Sequence, residues 1–429
     1  MLGRDILPVT GPPLNEPFDI RQILQKGLRE RPDDTAMTSL RASWTWRELD
    51  DASERLAASY LRMGLKAGDR IASLMPNRCE LVIHYLACFK SGLVATPLNY
   101  RYMAPEIDHA LRVSGACVLL AHNERAADLA ETELVSGLRY GTISYDDNGG
   151  TGDKSYGNFV SAEKDLVVGA PAEGDAPIAI FFTSGSTGKP KGVTHTFDTL
   201  GWILANCAMS YDLGDEDIMM PGSSMSHVGG FWNCNAALAV GAKVAIARSF
   251  DADEILPALR TMQPTVLIML PSALFALIRD NDAVIDDFAS VRLCISGGDK
   301  ISAALEKEYI QKTGHVVGEI YGMSEIGLSN ENLLNDMRTM GSVGRTNAGY
   351  SLELRDDAGN EVPVGQPGRL WCRFPGITVG YWDNPEATAE TIIDGWLDTG
   401  DVMIRDENDY FWFQGRKKQI IVHDASNIC

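Results

Sequence analysis

The chain has 429 residues, 45% of them hydrophobic and 22% charged, which excludes wholesale disorder and leaves length for roughly three domain-sized units. Its formal net charge of −20 excludes general nucleic-acid binding, because phosphates call for a basic face, and obliges any polyanionic ligand to find a local positive patch. No apolar run approaches the roughly 18 residues of a membrane span, and the opening MLGRDILPVTGPP lacks the apolar core of a secretory leader, so a reducing, cytoplasmic setting is expected.

Along the first 340 residues short apolar runs alternate with amphipathic stretches. In chain order the predicted strands are Arg70–Leu74, Val94–Pro97, Ala116–Ala121, Ile178–Thr183, Lys243–Ala247, Thr265–Leu270, Val291–Ser296 and Val317–Tyr321. Helices are predicted over Asp51–Met63, Cys79–Ser91, Asp253–Met262 and Ala303–Lys312. The alternation predicts α/β architecture with largely parallel sheets. Asp146–Asn158 and Gly169–Pro177 read as loops. After Gly341 the texture changes: Ser351–Leu354, Arg369–Phe374 and Tyr410–Phe413 read as strands around the turn Asp356–Asn360. The expected divisions are therefore an α/β subdomain over 1–177, a second over 178–340, a small β unit over 341–415, and a short remainder over 416–429.

The eight cysteines stand at 79, 88, 117, 207, 234, 294, 372 and 429. Their spacing contains no CxxC pair, so reduced, mostly buried thiols are expected rather than a metal or redox site. His84, His109, His122 and His315 are read as structural.

The decamer Thr183–Ser184–Gly185–Ser186–Thr187–Gly188–Lys189–Pro190–Lys191–Gly192 carries the strongest chemical signal. An apolar strand runs straight into it. Its glycines permit tight turns that bring backbone N–H groups close to a ligand, its hydroxyls add donors, and its two lysines add charge. That suits a phosphate chain. It is not a Walker A loop, because two residues, not four, separate Gly185 from Gly188–Lys189. Gly322–Met323–Ser324–Glu325–Ile326 begins like GxSxG but lacks the last glycine, so Ser324 is not read as a hydrolase nucleophile.

The decamer resembles the TSGTTGxPKG signature of the adenylate-forming superfamily: acyl-CoA synthetases, adenylation domains and luciferases. Further segments are similar in family order: Tyr321–Glu325 to YGxTE, Trp396–Asp401 to WxxTGD, and Gly415–Lys418 to GRxKD. Weaker matches are Gly68–Arg70, Pro76–Asn77, Gly341–Gly344 and Gly380–Trp382. The resemblance implies two α/β subdomains plus a smaller β-barrel-like one. It implies a ligase that turns a carboxylic acid and ATP into acyl-AMP and pyrophosphate, then passes the acyl group to coenzyme A, with Mg²⁺ as cofactor. The alternatives are an acyl-adenylating enzyme that loads a carrier protein, and a nucleotide or acyl-AMP binding module without turnover.

Residue by residue, the resemblance implies that Thr183, Ser184, Gly185, Ser186, Thr187, Gly188 and Lys189 hold the phosphates. Glu325, with Thr183, would hold Mg²⁺. Tyr321 would face adenine, backed by Gly297, Gly298 and Asp299, with Gly322, Met323 and Ser324 alongside, and Asp401 and Arg416 would serve the ribose. The acyl pocket would draw on His227, Val228, Gly229, Trp232, Gly322 and Met323, with Phe231 and Trp232 equally readable as packing. Thr183, Lys189, His227 and Glu325 are the expected catalytic set. Ser224–Trp232 contains no carboxylate, where amino-acid activators carry Asp, so an acid with an uncharged tail is expected. Lys418 would be the hinge to a small C-terminal domain of roughly a hundred residues. Only its first residues are read here, so the chain is expected to bind ATP and acyl-adenylate but turn over poorly.

Overall fold

A computed structural model describes residues 14–147, 154–164, 173–183, 189–280, 283–333, 338–416, 421–423 and 426–428. Two mixed sheets dominate. In the seven-stranded sheet the parallel strands Val94–Pro97, Arg70–Leu74, Val118–His122 and Thr142–Tyr145 are joined by Pro177–Thr183, and Lys191–Thr196 and Gly380–Tyr381 close one edge antiparallel. The nine-stranded sheet has a parallel centre of Val317–Met323, Leu293–Ser296, Val266–Met269, Ile218–Gly222, Lys243–Ile246 and Thr35–Ser39. Thus Thr35–Ser39 sits in the sheet built mostly from residues after 217, while Pro177–Thr183 sits with strands before 146. The two sheets cross the expected division at 177/178.

A third, antiparallel sheet follows in the chain: Ser351–Arg355, Pro367–Arg373, Trp396–Arg405, Ile392–Ile393 and Phe411–Arg416. The architecture is the expected pair of α/β units with a smaller β unit. The strands Arg70–Leu74 and Val94–Pro97 and the helix Cys79–Ser91 have the predicted bounds. One correction concerns Asp146–Asn158: Ser155 accepts a hydrogen bond from Asn158 N at 3.3 Å and starts a helix over Tyr156–Ser161. A serine cap is enough to begin a turn inside Gly- and Asp-rich sequence.

The helices obey the same chemistry. Trp46–Arg62 opens on a reciprocal cap, with Glu48 N donating to Thr45 Oγ1 at 3.2 Å and Thr45 N to Glu48 Oε2 at 2.8 Å. Cys79–Ser91 is apolar on every side and buries all but Glu80 and Lys90, as a helix enclosed between layers must. Inside it, His84 Nδ1 and the Tyr60 hydroxyl share a hydrogen bond of 2.9 Å, and burial pulls the His84 pKa down to about 3. It is a neutral core residue.

A buried acid pair lies beneath one of these layers. Glu319, on Val317–Met323, is 4% exposed and Glu306, on Ala303–Thr313, is fully buried. Burial first, then the shared hydrogen bond and repulsion with Glu306, hold the Glu319 carboxyl well above the usual carboxylate range. The folded chain therefore keeps a proton that the unfolded chain releases above pH ~4.5. Stability from this source is complete below that pH and falls as pH rises, by up to about 1.4 kcal/mol per unit. Glu319→Gln should flatten the slope; urea unfolding from pH 5 to 8 with equal slopes in both proteins would overturn this.

Candidate active site

Tyr321, Asp401 and Arg416, with Glu325, Tyr381 and Lys191, gather where strands of both large sheets end and the third sheet leans in, the position open α/β sheets use for ligands. Thr183 ends its strand half-buried and pairs across a hairpin with Lys191. His109 Nε2 donates to Pro190 O at 2.8 Å and ties that hairpin to the helix Ala104–Ser114. Lys189 is exposed. Ser184, Gly185, Ser186, Thr187 and Gly188 lie outside the described residues, as does Lys418.

Tyr321, Asp401 and Arg416 meet although 80 and 15 residues separate the partners. The Tyr321 hydroxyl donates to Asp401 Oδ2 at 2.6 Å, and Arg416 Nε donates to Oδ1 at 2.6 Å. Asp401 is 1% exposed. Burial holds its pKa above the usual range, against the opposing pull of Arg416 and Tyr321. Its inward aim comes from a bulge: Trp371 pairs with Asp398 but Arg369 pairs with Val402, so the TGD segment is extra length in one strand. Gly400 takes φ +73°, and Thr399 Oγ1 accepts from Asp401 N at 3.2 Å.

Gly297 follows the strand Leu293–Ser296, which pairs parallel with Val317–Met323, so Gly297–Asp299 emerges beside Tyr321. Asp299 is exposed and accepts from Lys300 N at 2.7 Å. Gly322 must be glycine, because a Cβ there would stand 2.2 Å from Gly327 O. Gly322 and Met323 are half-buried.

Glu325 follows Ser324, and both are buried. Glu325 Oε1 accepts from the Tyr381 hydroxyl at 3.0 Å, and its backbone carbonyl accepts from Thr378 N at 2.7 Å. Burial raises the Glu325 pKa. The Ser324 carbonyl accepts from His195 Nε2 at 2.8 Å; His195 is fully buried, and burial draws its pKa down to about 4. The strand Lys191–Thr196 thereby grips the turn that carries Glu325. His195, Thr378 and Tyr381 were not singled out from sequence. Only Tyr381 lies in a segment the sequence marks, the weak Gly380–Trp382 match.

His227 is half-buried at the N-cap of the helix Val228–Ala239. Burial is what lowers its pKa, and no charged neighbour contributes. The loop before it is latched to the first sheet. Asn77 Nδ2 donates to Ser223 O at 3.1 Å, Asn77 Oδ1 accepts from Met225 N at 2.8 Å, and the Tyr85 hydroxyl donates to Met225 O at 3.0 Å. Val228 is buried and Gly229 half-buried. Phe231 is fully enclosed by Tyr85, Phe181 and Phe89, with ring centroids 4.7, 5.0 and 6.0 Å away. Trp232 is 2% exposed, edge-on to His195 at 6.3 Å. Both aromatic rings pack the core in this structure.

A glycine-rich hairpin, an acid–phenol–guanidinium cluster and a tethered buried glutamate on this three-sheet frame define an adenylate-forming architecture. Comparison with known proteins agrees. The family described as AMP-binding enzyme matches residues 24–382, and the chain belongs to that family. It is 30% identical over 406 residues to feruloyl-CoA synthase of Amycolatopsis sp, covering 93% of this chain and 79% of that one. It is 30% identical over 422 residues to the medium-chain fatty-acid–CoA ligase of Escherichia coli (strain K12), covering 94% and 73%. The crystal structure of ATP-bound MatB from Rhodopseudomonas palustris superimposes with a TM-score of 0.85 at 26% identity, covering 96% of this chain and 81% of that one. No helix among the described residues is long and apolar enough to cross a membrane.

Proposed function

We propose that the chain is an AMP-forming acid–thiol ligase, which activates a carboxylic acid with ATP and transfers the acyl group to coenzyme A. The observation that carries this reading is the Tyr321–Asp401–Arg416 cluster beside the Thr183–Lys191 hairpin. A ring offers a face to adenine, a buried carboxylate accepts from ribose hydroxyls, and a cationic hairpin faces the phosphates. Among the described residues each Asp401 oxygen accepts one side-chain hydrogen bond, and a carboxylate oxygen has a further lone pair that ribose would use.

The carboxylate oxygen of the acid attacks the α-phosphorus. The bond to the bridging oxygen of the β-phosphate breaks, and pyrophosphate leaves with the electron pair. The thiol of coenzyme A, losing its proton, then attacks the acyl carbonyl, and AMP leaves. Neither step needs a protein nucleophile, so positioning and charge neutralisation supply the catalysis. Lys189, Thr183 and the hairpin amides oppose the triphosphate charge. Glu325, a hard oxygen donor, is the residue suited to Mg²⁺, with Thr183 as second contact. Among the described residues no cluster of three or more acidic, His or Cys side chains forms a metal cage, which fits an ion that keeps waters and takes substrate phosphates as ligands. When bound, Mg²⁺ supplies further charge neutralisation on the phosphates.

His227, neutral through burial, donates one N–H toward the carboxylate of the acid. Ser224–Trp232 has no acidic side chain, so nothing there pairs with a substrate ammonium. The acid therefore has an uncharged tail, and the two curated relatives, named for feruloyl and medium-chain fatty acids, agree. The test is pyrophosphate release with a panel of aryl, fatty and free amino acids, followed by supply of coenzyme A or a phosphopantetheinylated carrier protein. Aryl or fatty acids should be favoured and coenzyme A should accept the acyl group. Preference for a free amino acid would overturn the substrate reading, and absence of pyrophosphate release with every acid would overturn the enzyme reading.

A further inference from the structure

Lys191 and Glu325 are 134 positions apart, yet one side chain touches both. The ammonium of Lys191 lies 4.6 Å from the centroid of the Tyr381 ring, and the Tyr381 hydroxyl donates to Glu325 Oε1 at 3.0 Å. Lys191 is the second lysine of the phosphate hairpin and the first residue of the strand Lys191–Thr196. Tyr381 has little freedom to move. Its strand pairs with Lys191–Thr196 in the register Tyr381–Val193, and its N–H donates to Thr388 Oγ1 at 2.9 Å. Just upstream, Thr378 bridges the same parts. Its N–H donates to the Glu325 carbonyl at 2.7 Å and its hydroxyl to the Thr194 carbonyl at 2.7 Å.

We propose that Tyr381 is a positioning residue of the triphosphate site: its ring seats Lys191 and its hydroxyl aims Glu325, presetting a cation and a metal-binding carboxylate before ATP arrives. A cation over an aromatic face is held electrostatically without being neutralised by an acid. Lys191 thus keeps its charge for the phosphates instead of pairing with Glu325. The phenol holds Glu325 Oε1 and so fixes the direction in which the carboxylate meets the ion. The inference rests on the reading of Glu325 as the Mg²⁺ residue, and the experiment separates the two.

The probe is Mn²⁺ with α,β-methylene-ATP, which cannot be cleaved at the reacting bond, read by electron paramagnetic resonance; metal-free analogue binding is read by calorimetry. Tyr381→Phe keeps the ring and loses the hydroxyl. It should weaken Mn²⁺ about two- to tenfold, the loss of one hydrogen bond, and leave metal-free binding unchanged. Tyr381→Leu loses both and should weaken both measurements, with thermal melting confirming a folded protein in each case. Glu325→Gln should also weaken Mn²⁺, and adding Tyr381→Phe to it should cost nothing more. If Glu325→Gln binds Mn²⁺ like the parent, the metal reading of Glu325 is wrong. If Glu325→Gln is weakened while Tyr381→Phe matches the parent, the metal reading stands and the role given to Tyr381 is wrong. Equal metal-free binding in Tyr381→Leu and the parent would remove Lys191 from the account.

Discussion

Replacing Asp401 with alanine is expected to weaken ATP binding by about 3 kcal/mol or more, over a hundredfold, the upper end for losing hydrogen bonds to a charged acceptor. Sequence alone supports the ribose contacts. The structure adds a second cost, because Asp401 also holds the Tyr321 hydroxyl and Arg416 Nε. Alanine would release the Tyr321 ring, proposed to face adenine, and strand a guanidinium. The stability cost should be smaller than for a fully enclosed pair, since the Arg416 side chain is 28% exposed and can turn to water. Tyr321→Phe, which keeps the ring but not the tether, should lose less. Calorimetric titration decides: unchanged ATP affinity in Asp401→Ala would remove this residue from the nucleotide site.

The fold was legible where physics is local. The strand Arg70–Leu74 and the helix Cys79–Ser91 are bounded by Gly68–Asp69 and Gly92, and their apolar content leaves no competing period. The strand Thr35–Ser39 is five residues without strict alternation, and its pairings, parallel with Lys243–Ile246 and antiparallel with Ser43–Thr45, make it a strand. Its place in the second sheet is a fact about two segments 200 residues apart. The site divides the same way. Asp401, Tyr321 and Glu325 stand out in the sequence only through motifs that resemble those of the adenylate-forming superfamily. His195, Thr378, Tyr381 and Asn77 act by hydrogen bonds to backbone or side chains at least 50 residues away, and such contacts leave no periodic mark. For Phe231 and Trp232 the sequence allows pocket or packing equally; in the structure both are buried, Phe231 among aromatic rings and Trp232 edge-on to His195.

Glu325→Gln should leave folding intact and cut adenylate formation by about 10²–10³, the usual worth of one preorganised charge contact at a reacting phosphate. The folding half follows from the surroundings. Glu325 is 5% exposed, and burial disfavours its charged form. Glutamine has the same shape, its amide oxygen can still accept from Tyr381, and it brings no charge to desolvate. The catalytic half follows from chemistry, because an amide oxygen is a far weaker partner for Mg²⁺ than a carboxylate. The loss should be partly recovered as Mg²⁺ is raised, since weaker metal capture appears first as a higher metal requirement. Pyrophosphate release measured across a Mg²⁺ titration, beside thermal melting, tests both halves. Equal Mg²⁺ dependence in variant and parent would mean that the ion is held by the phosphates alone, and that Glu325 is buried beside Tyr381 for structure rather than for the reaction.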